Sequence, residues 1–147
     1  MIGASDGGSV DTLGEGDQVV LTFPARGDLV VLARLVASAI STRVGFDIEE
    51  LEDLRLAVGE LCLLALQGSD DWHGDLRLEF TVSSEALDIS CTSGGAALAA
   101  DGRGAEGDEA DQLSEQILAA LVDEHGRVQE DGSVRAWLRK RRKGPLE

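Results

Sequence analysis

The chain has 147 residues, 43% of them apolar and only 3% aromatic, which suits one domain with a core of Leu, Val, Ile and Ala and is too little for two. A formal net charge of −15 excludes DNA, RNA and anionic membrane as direct partners of the body and favours a basic protein partner. No apolar run approaches the roughly 18–20 residues of a membrane span, and the Gly- and Asp-rich start lacks the basic and apolar regions of a secretory signal, so a cytoplasmic location is expected.

Residues 1–15 are rich in Gly, Ser and Asp and read as a flexible lead-in. Gln18 to Phe23 alternates as a strand and is closed by Pro24. Asp28 is placed to cap a helix over residues 29–44, with Leu29, Leu32, Ala33, Val36, Ala39 and Ile40 on its inner face, and Gly45 stops it. A second helix starts at Asp47, where Glu50 three residues on completes a capping-box pattern, and runs to about residue 67. Past Val58 it is apolar nearly all round, so its second half belongs deep in the molecule. Residues 76–82 and 87–91 alternate as two strands of a hairpin. A Gly-, Ala- and Asp-rich segment over 93–109 reads as a long acidic loop of the kind that is functional or disordered. A third helix is expected over 110–124 with Leu113, Ile117, Leu118 and Leu121 inward, followed by a hairpin of 127–129 and 134–138 about Asp131-Gly132. The order β-α-α-β-β-loop-α-β-β predicts a two-layer α/β (α+β) sandwich over residues 16–141. All its helices lie on one face of a mixed or antiparallel sheet, and the other face is left for solvent or a partner.

Cys62 and Cys91 stand far apart in apolar segments and read as buried thiols; without a CxxC spacing, a disulfide or redox pair is the lesser alternative. His73 and His125 have no second ligand at metal spacing, so no metal site is expected. The basic run Arg139, Lys140, Arg141, Arg142, Lys143 reads as the end of the last strand and a solvated tail over 142–147.

Three stretches carry a family resemblance: Leu32-Ala33-Arg34, then Asp53-Leu54-Arg55-Leu56-Ala57-Val58-Gly59-Glu60, and the element order itself. Together they resemble the anti-sigma-factor serine kinases of the GHKL (Bergerat-type) ATPase superfamily over about residues 17–141. The likeness is strongest to the divergent branch in high-GC Gram-positive bacteria. It implies a family that holds ATP and Mg²⁺ between helices and sheet, phosphorylates a serine of a STAS-type anti-anti-sigma partner, and sequesters a stress or sporulation sigma factor.

Carried over position by position, the family's nucleotide motifs are largely replaced. Glu60, the family's general base, is present, but the magnesium-ligating Asn four residues on is Leu64, which has no oxygen for a hard cation. The adenine-binding Asp falls at Ser93, in the stretch Ser93-Gly94-Gly95, with Gly95 at the glycine position. The Gly-x-Gly that opens the third helix falls at Gln112-Leu113-Ser114, with side chains where backbone amides would approach phosphate. Between residues 101 and 115, six acids face Arg103 alone, which repels a triphosphate. The resemblance places Arg34 where the family contacts both the sigma factor and its antagonist; an exposed or internally paired arginine is the alternative. Arg55 reads as a structural ion pair, Trp72 and Trp137 as packing residues.

The expectation is a regulator that sequesters a stress-type sigma factor, is released by a STAS-type anti-anti-sigma protein, and needs no nucleotide cofactor. A homodimer is compatible with it. The rival is an active ATP-dependent serine kinase using Glu60 as base.

Overall fold

The computed structural model describes residues 13–66, 74–93, 104–130 and 133–142, with side chains at all of these except 104–111 and 130. The elements are β1 (Gln18–Pro24), a 3₁₀ turn (Gly27–Leu29), α1 (Val30–Val44), α2 (Ile48–Leu66), β2 (Asp75–Val82), β3 (Ala86–Ser93), α3 (Gly104–Leu121), β4 (Glu124–Glu130) and β5 (Ser133–Arg141). The strands form one sheet in the order β1-β2-β3-β5-β4, and every neighbouring pair is antiparallel. The expected two-layer architecture is present, with a wholly antiparallel sheet.

Period-two alternation divides the sheet into two faces. Leu76, Leu78, Phe80 and Val82 of β2, Ile89 and Cys91 of β3, and Ala136 and Leu138 of β5 join one core with Ala33, Ala37 and Ile40 of α1 and Leu54, Val58, Leu61 and Ala65 of α2. Helix α2 is central in the second layer: it packs against α1 on one side, α3 on the other, and β3 and β5 beneath. Its start is set by Asp47 and Glu50. The Glu50 amide donates to Asp47 Oδ1 at 2.7 Å and the Asp47 amide to Glu50 Oε1 at 2.9 Å, so two amides that helical geometry leaves unpaired are satisfied reciprocally. Gly45 ends α1 in the left-handed region, with φ 88°, which a residue without Cβ adopts at little cost.

Four local expectations are corrected. Asp28 does not cap α1: its carboxylate is taken by Arg26 at 2.8 Å, and the 3₁₀ turn makes Leu29 the residue before the helix, with no side-chain cap. Leu32 is exposed and Ala39 faces solvent, because the buried stripe of α1 runs instead through Val30, Ala33, Ala37, Ile40 and Val44. The segment after β3 is shorter than the loop expected over 93–109. Ser93 is the last residue of β3, and α3 already begins at Gly104, leaving 94–103 outside the described residues. The turn dipeptide Asp131-Gly132 and Trp72 also lie outside them, although Glu130 pairs with Ser133 as a two-residue hairpin connection requires.

The fourth correction concerns the basic run, which is structural as far as Arg142. Arg139 forms a two-bond pair with Asp88, at 2.8 and 3.1 Å. Lys140 Nζ donates to the Leu121 carbonyl at 2.8 Å and sits 3.4 Å from Asp53 Oδ2. Arg141 pairs with Glu124 at 2.9 Å, and Arg142 donates to the carbonyls of Val44 at 2.8 Å and Ser84 at 2.7 Å. Val44 ends α1 and Leu121 ends α3, so two cations meet carbonyls that have no partner within their helices, at the negative ends of the helix dipoles. Lys140→Ala should lower unfolding free energy by about 1–3 kcal/mol, read from urea denaturation as a lower midpoint at unchanged slope.

Candidate functional site

The residues singled out by sequence converge on the helical layer and the end of β3. Glu60 lies on the side of α2 that meets α3, and Ser114 Oγ donates to its Oε1 at 2.8 Å. This bond spans the seam between the two helices, and Ser114 is buried there. One turn beyond Glu60, Leu64 is 1% exposed and belongs to the core. Ser93 is fully buried, and its hydroxyl is engaged by Val134 of β5, accepting from the amide at 3.3 Å and donating to the carbonyl at 3.4 Å. Gly95 lies outside the described residues.

Leu113 is corrected: it is 58% exposed, and the inward positions of α3 are Ser114 and Leu118, with Ile117 and Leu121 half-buried. Gln112-Leu113-Ser114 also does not open the helix. It lies more than two turns inside α3, where backbone amides are spent on the helix itself. A Gly-x-Gly does stand where α3 begins, at Gly102-Arg103-Gly104, of which 102 and 103 lie outside the described residues. Sequence reasoning missed Ser114 as the partner of Glu60, because nothing in the spacing announces a pair 54 residues apart. Among the described residues, no group of three or more His, Cys, Asp and Glu could hold a metal ion.

Arg34 is half-buried on α1 and reaches across to α2. A Cβ built on Gly59 would stand 2.7 Å from its Nη2 and 2.9 Å from its Nε, so the guanidinium lies directly on the α2 backbone. Among the described residues, Arg34 has neither a hydrogen bond nor an ion pair. Asp28, one candidate partner, is taken by Arg26, and Glu52 of α2 is taken by Arg55 at 3.3 Å. Leu56 and Leu63 flank Gly59 at helical neighbour spacing, and Val31 and Leu35 flank Arg34. These four aliphatic side chains are 45–60% exposed. Arg34 thus lies beside exposed aliphatic side chains of both helices, with no partner among the described residues.

The opposite face of the sheet carries a shallow depression of about 410 Å³ beside Trp137. Trp137 packs across β4, its indole occupying the space a side chain at Gly126 would need. The charges of this face are largely matched in pairs, Arg77 with Glu79, Arg139 with Asp88 and Arg141 with Glu124.

A five-stranded antiparallel sheet with its helices on one side and a glutamate at the seam of the second and third is an ATPase-type scaffold. The chain belongs to the histidine kinase-like ATPase domain family, which it matches over residues 23–139. It is 29% identical over 137 residues to the serine-protein kinase RsbW of Bacillus subtilis (strain 168), covering 84% of this chain and 85% of that one. To RsbW of Bacillus pumilus (strain SAFR-032) it is 35% identical over 77 residues, and to RsbW of Listeria monocytogenes serotype 4a (strain HCC23) 34% over 83. The chain spans about half the length of these last two, 48% and 52%, with 50% and 54% of its own residues aligned. No helix among the described residues is long and apolar enough to cross a membrane.

The two cysteines, remote in sequence, meet where α2 packs on β3; both are buried and free. Hydrogen bonding to the Cys62 thiol, then burial, pushes the Cys91 pKa well above its usual value. The folded chain therefore keeps this proton where the unfolded chain releases it. Stability should be full below the ordinary thiol range, roughly pH 8.5, and fall above it by at most about 1.4 kcal/mol per pH unit. Denaturation midpoints measured across the alkaline range should show this slope in the wild type and lose it in Cys91→Ala.

Proposed function

We propose that this protein is an anti-sigma-factor-like regulator. It sequesters a stress-type sigma factor through the helical face centred on Arg34, is released when a STAS-type anti-anti-sigma protein competes for that face, and works without nucleotide in the cytoplasm. The observation that carries the reading is the half-buried Arg34 guanidinium, without a partner among the described residues and beside exposed aliphatic side chains of both helices. Interface hot spots have this composition: an arginine or aromatic anchor surrounded by contacts that exclude water. A carboxylate from the partner would give the guanidinium its missing two-point acceptor.

Charge supports the same reading. Sigma factors present basic surfaces to DNA, and a chain of net charge −15 would be steered towards them and would cover them. The reading without nucleotide is supported by what occupies the family's positions. Leu64 offers no oxygen to a cation, the Ser93 hydroxyl is committed to Val134, and Glu60 is held by Ser114. The rival reading, an active serine kinase acting on a STAS-type partner, is favoured by the retained Glu60 and by the name borne by the relatives.

Two measurements separate and test these readings. Arg34→Ala should weaken binding of the purified stress-type sigma factor about 30-fold or more, the cost of a hot-spot arginine near 2 kcal/mol, with no loss in melting temperature. Unchanged affinity would remove the docking surface from the account. Millimolar ATP with Mg²⁺ should leave the melting temperature where it is, whereas a rise of several degrees would establish a nucleotide site and favour the kinase.

A further inference from the structure

Gly59 occupies an awkward place for a glycine. It sits in the middle of α2, a 19-residue helix, where glycine is among the least favourable residues because it frees the unfolded backbone. Its φ is not in the left-handed region, so the backbone does not require glycine there. What requires it is space. An added Cβ would fall 2.7, 2.9 and 3.2 Å from Nη2, Nε and Cζ of Arg34, closer than such atoms pack. The guanidinium therefore lies over the bare Cα of Gly59, in a slot that a side chain there would close.

We infer that Gly59 is the positioning residue of the docking surface: the slot it opens across α2 holds the Arg34 guanidinium in place to receive a partner carboxylate. This rests on the docking reading of Arg34. A long arginine side chain that must be ordered on binding loses rotamer freedom, and one already laid against a helix loses less. The slot also holds the guanidinium beside exposed aliphatic side chains of both helices, where an incoming carboxylate would be partly shielded from water and the pair strengthened. The atoms nearest to a methyl group at position 59 all belong to the free end of a flexible side chain. The helix would keep its packing, and Arg34 would swing out of the slot into solvent.

The two effects have opposite signs, which makes the inference testable. The probe is the purified stress-type sigma factor of the source organism, titrated against wild type, Gly59→Ala, Arg34→Ala and the double variant, each with its melting temperature. Gly59→Ala should melt at or above the wild-type temperature, as alanine favours the helix, yet bind about tenfold more weakly through lost preorganisation. In the Arg34→Ala background the same change should cost nothing more, because its effect passes through the arginine. In the free protein, the Arg34 Nε–H signal in ¹⁵N NMR should be ordered in wild type and averaged by motion in Gly59→Ala.

Several results would overturn the inference. Wild-type affinity in Gly59→Ala, with Arg34→Ala still weakened, removes the positioning role and leaves the docking reading standing. An equal loss in both backgrounds means that position 59 contacts the partner itself. A Gly59→Ala protein that melts well below wild type shows that the methyl displaces more than the end of an arginine. Unchanged affinity in Arg34→Ala overturns the docking reading, and the inference with it.

Discussion

Helix α2 must be buried against three neighbours at once, and the other elements are arranged around that need. Leu54, Ala57, Val58, Leu61, Cys62, Leu64 and Ala65 are at most 1% exposed, a stripe too wide for a single contact. The sheet covers one part of it, α1 a second and α3 a third. What remains outside includes Glu52, Arg55, Leu56 and Leu63, while Gly59 is buried beneath Arg34. Leu56 and Leu63 belong to the candidate docking surface, while Glu60 faces α3 through Ser114. Position on one helix, at spacings of three and four residues, decides which residues are structural and which are free to meet something else.

The same geometry accounts for the seam between α2 and α3. Glu60 needs a donor once it is half-buried, and Ser114 supplies one from the facing helix. A serine at that point and a leucine at position 64 make the seam self-sufficient: its polar group is paired within the protein and its apolar group packs.

Charge is distributed with the same economy. The chain carries 28 acids against 13 Lys and Arg, and the cations near its end are used where the fold needs them most. Lys140 and Arg142 meet the last carbonyls of α3 and α1, and Arg139 and Arg141 bridge strands through Asp88 and Glu124. With these positive groups engaged internally, the acidic character of the rest is left to act outward. Arg34 is not engaged in this way: it is a half-buried cation without a partner among the described residues.

Sequence alone determined the element order, the capping box of Asp47 and Glu50 and the stop at Gly45. Each of these is local, set by periodicity or by groups within a few residues of one another. It also pointed to Glu60, Leu64, Ser93 and Arg34 through family resemblance. Only the tertiary structure decided what those side chains touch: Ser114 against Glu60, Val134 against Ser93, Cys62 beside Cys91, and Gly59 beneath Arg34. It also turned Leu113 outward, moved the start of α3 back to Gly104, and tied the basic run to the ends of two helices. The reason is physical. Helix period and turn chemistry are carried by neighbours in the chain, whereas a contact across 54 residues depends on how two elements are rotated when their cores close.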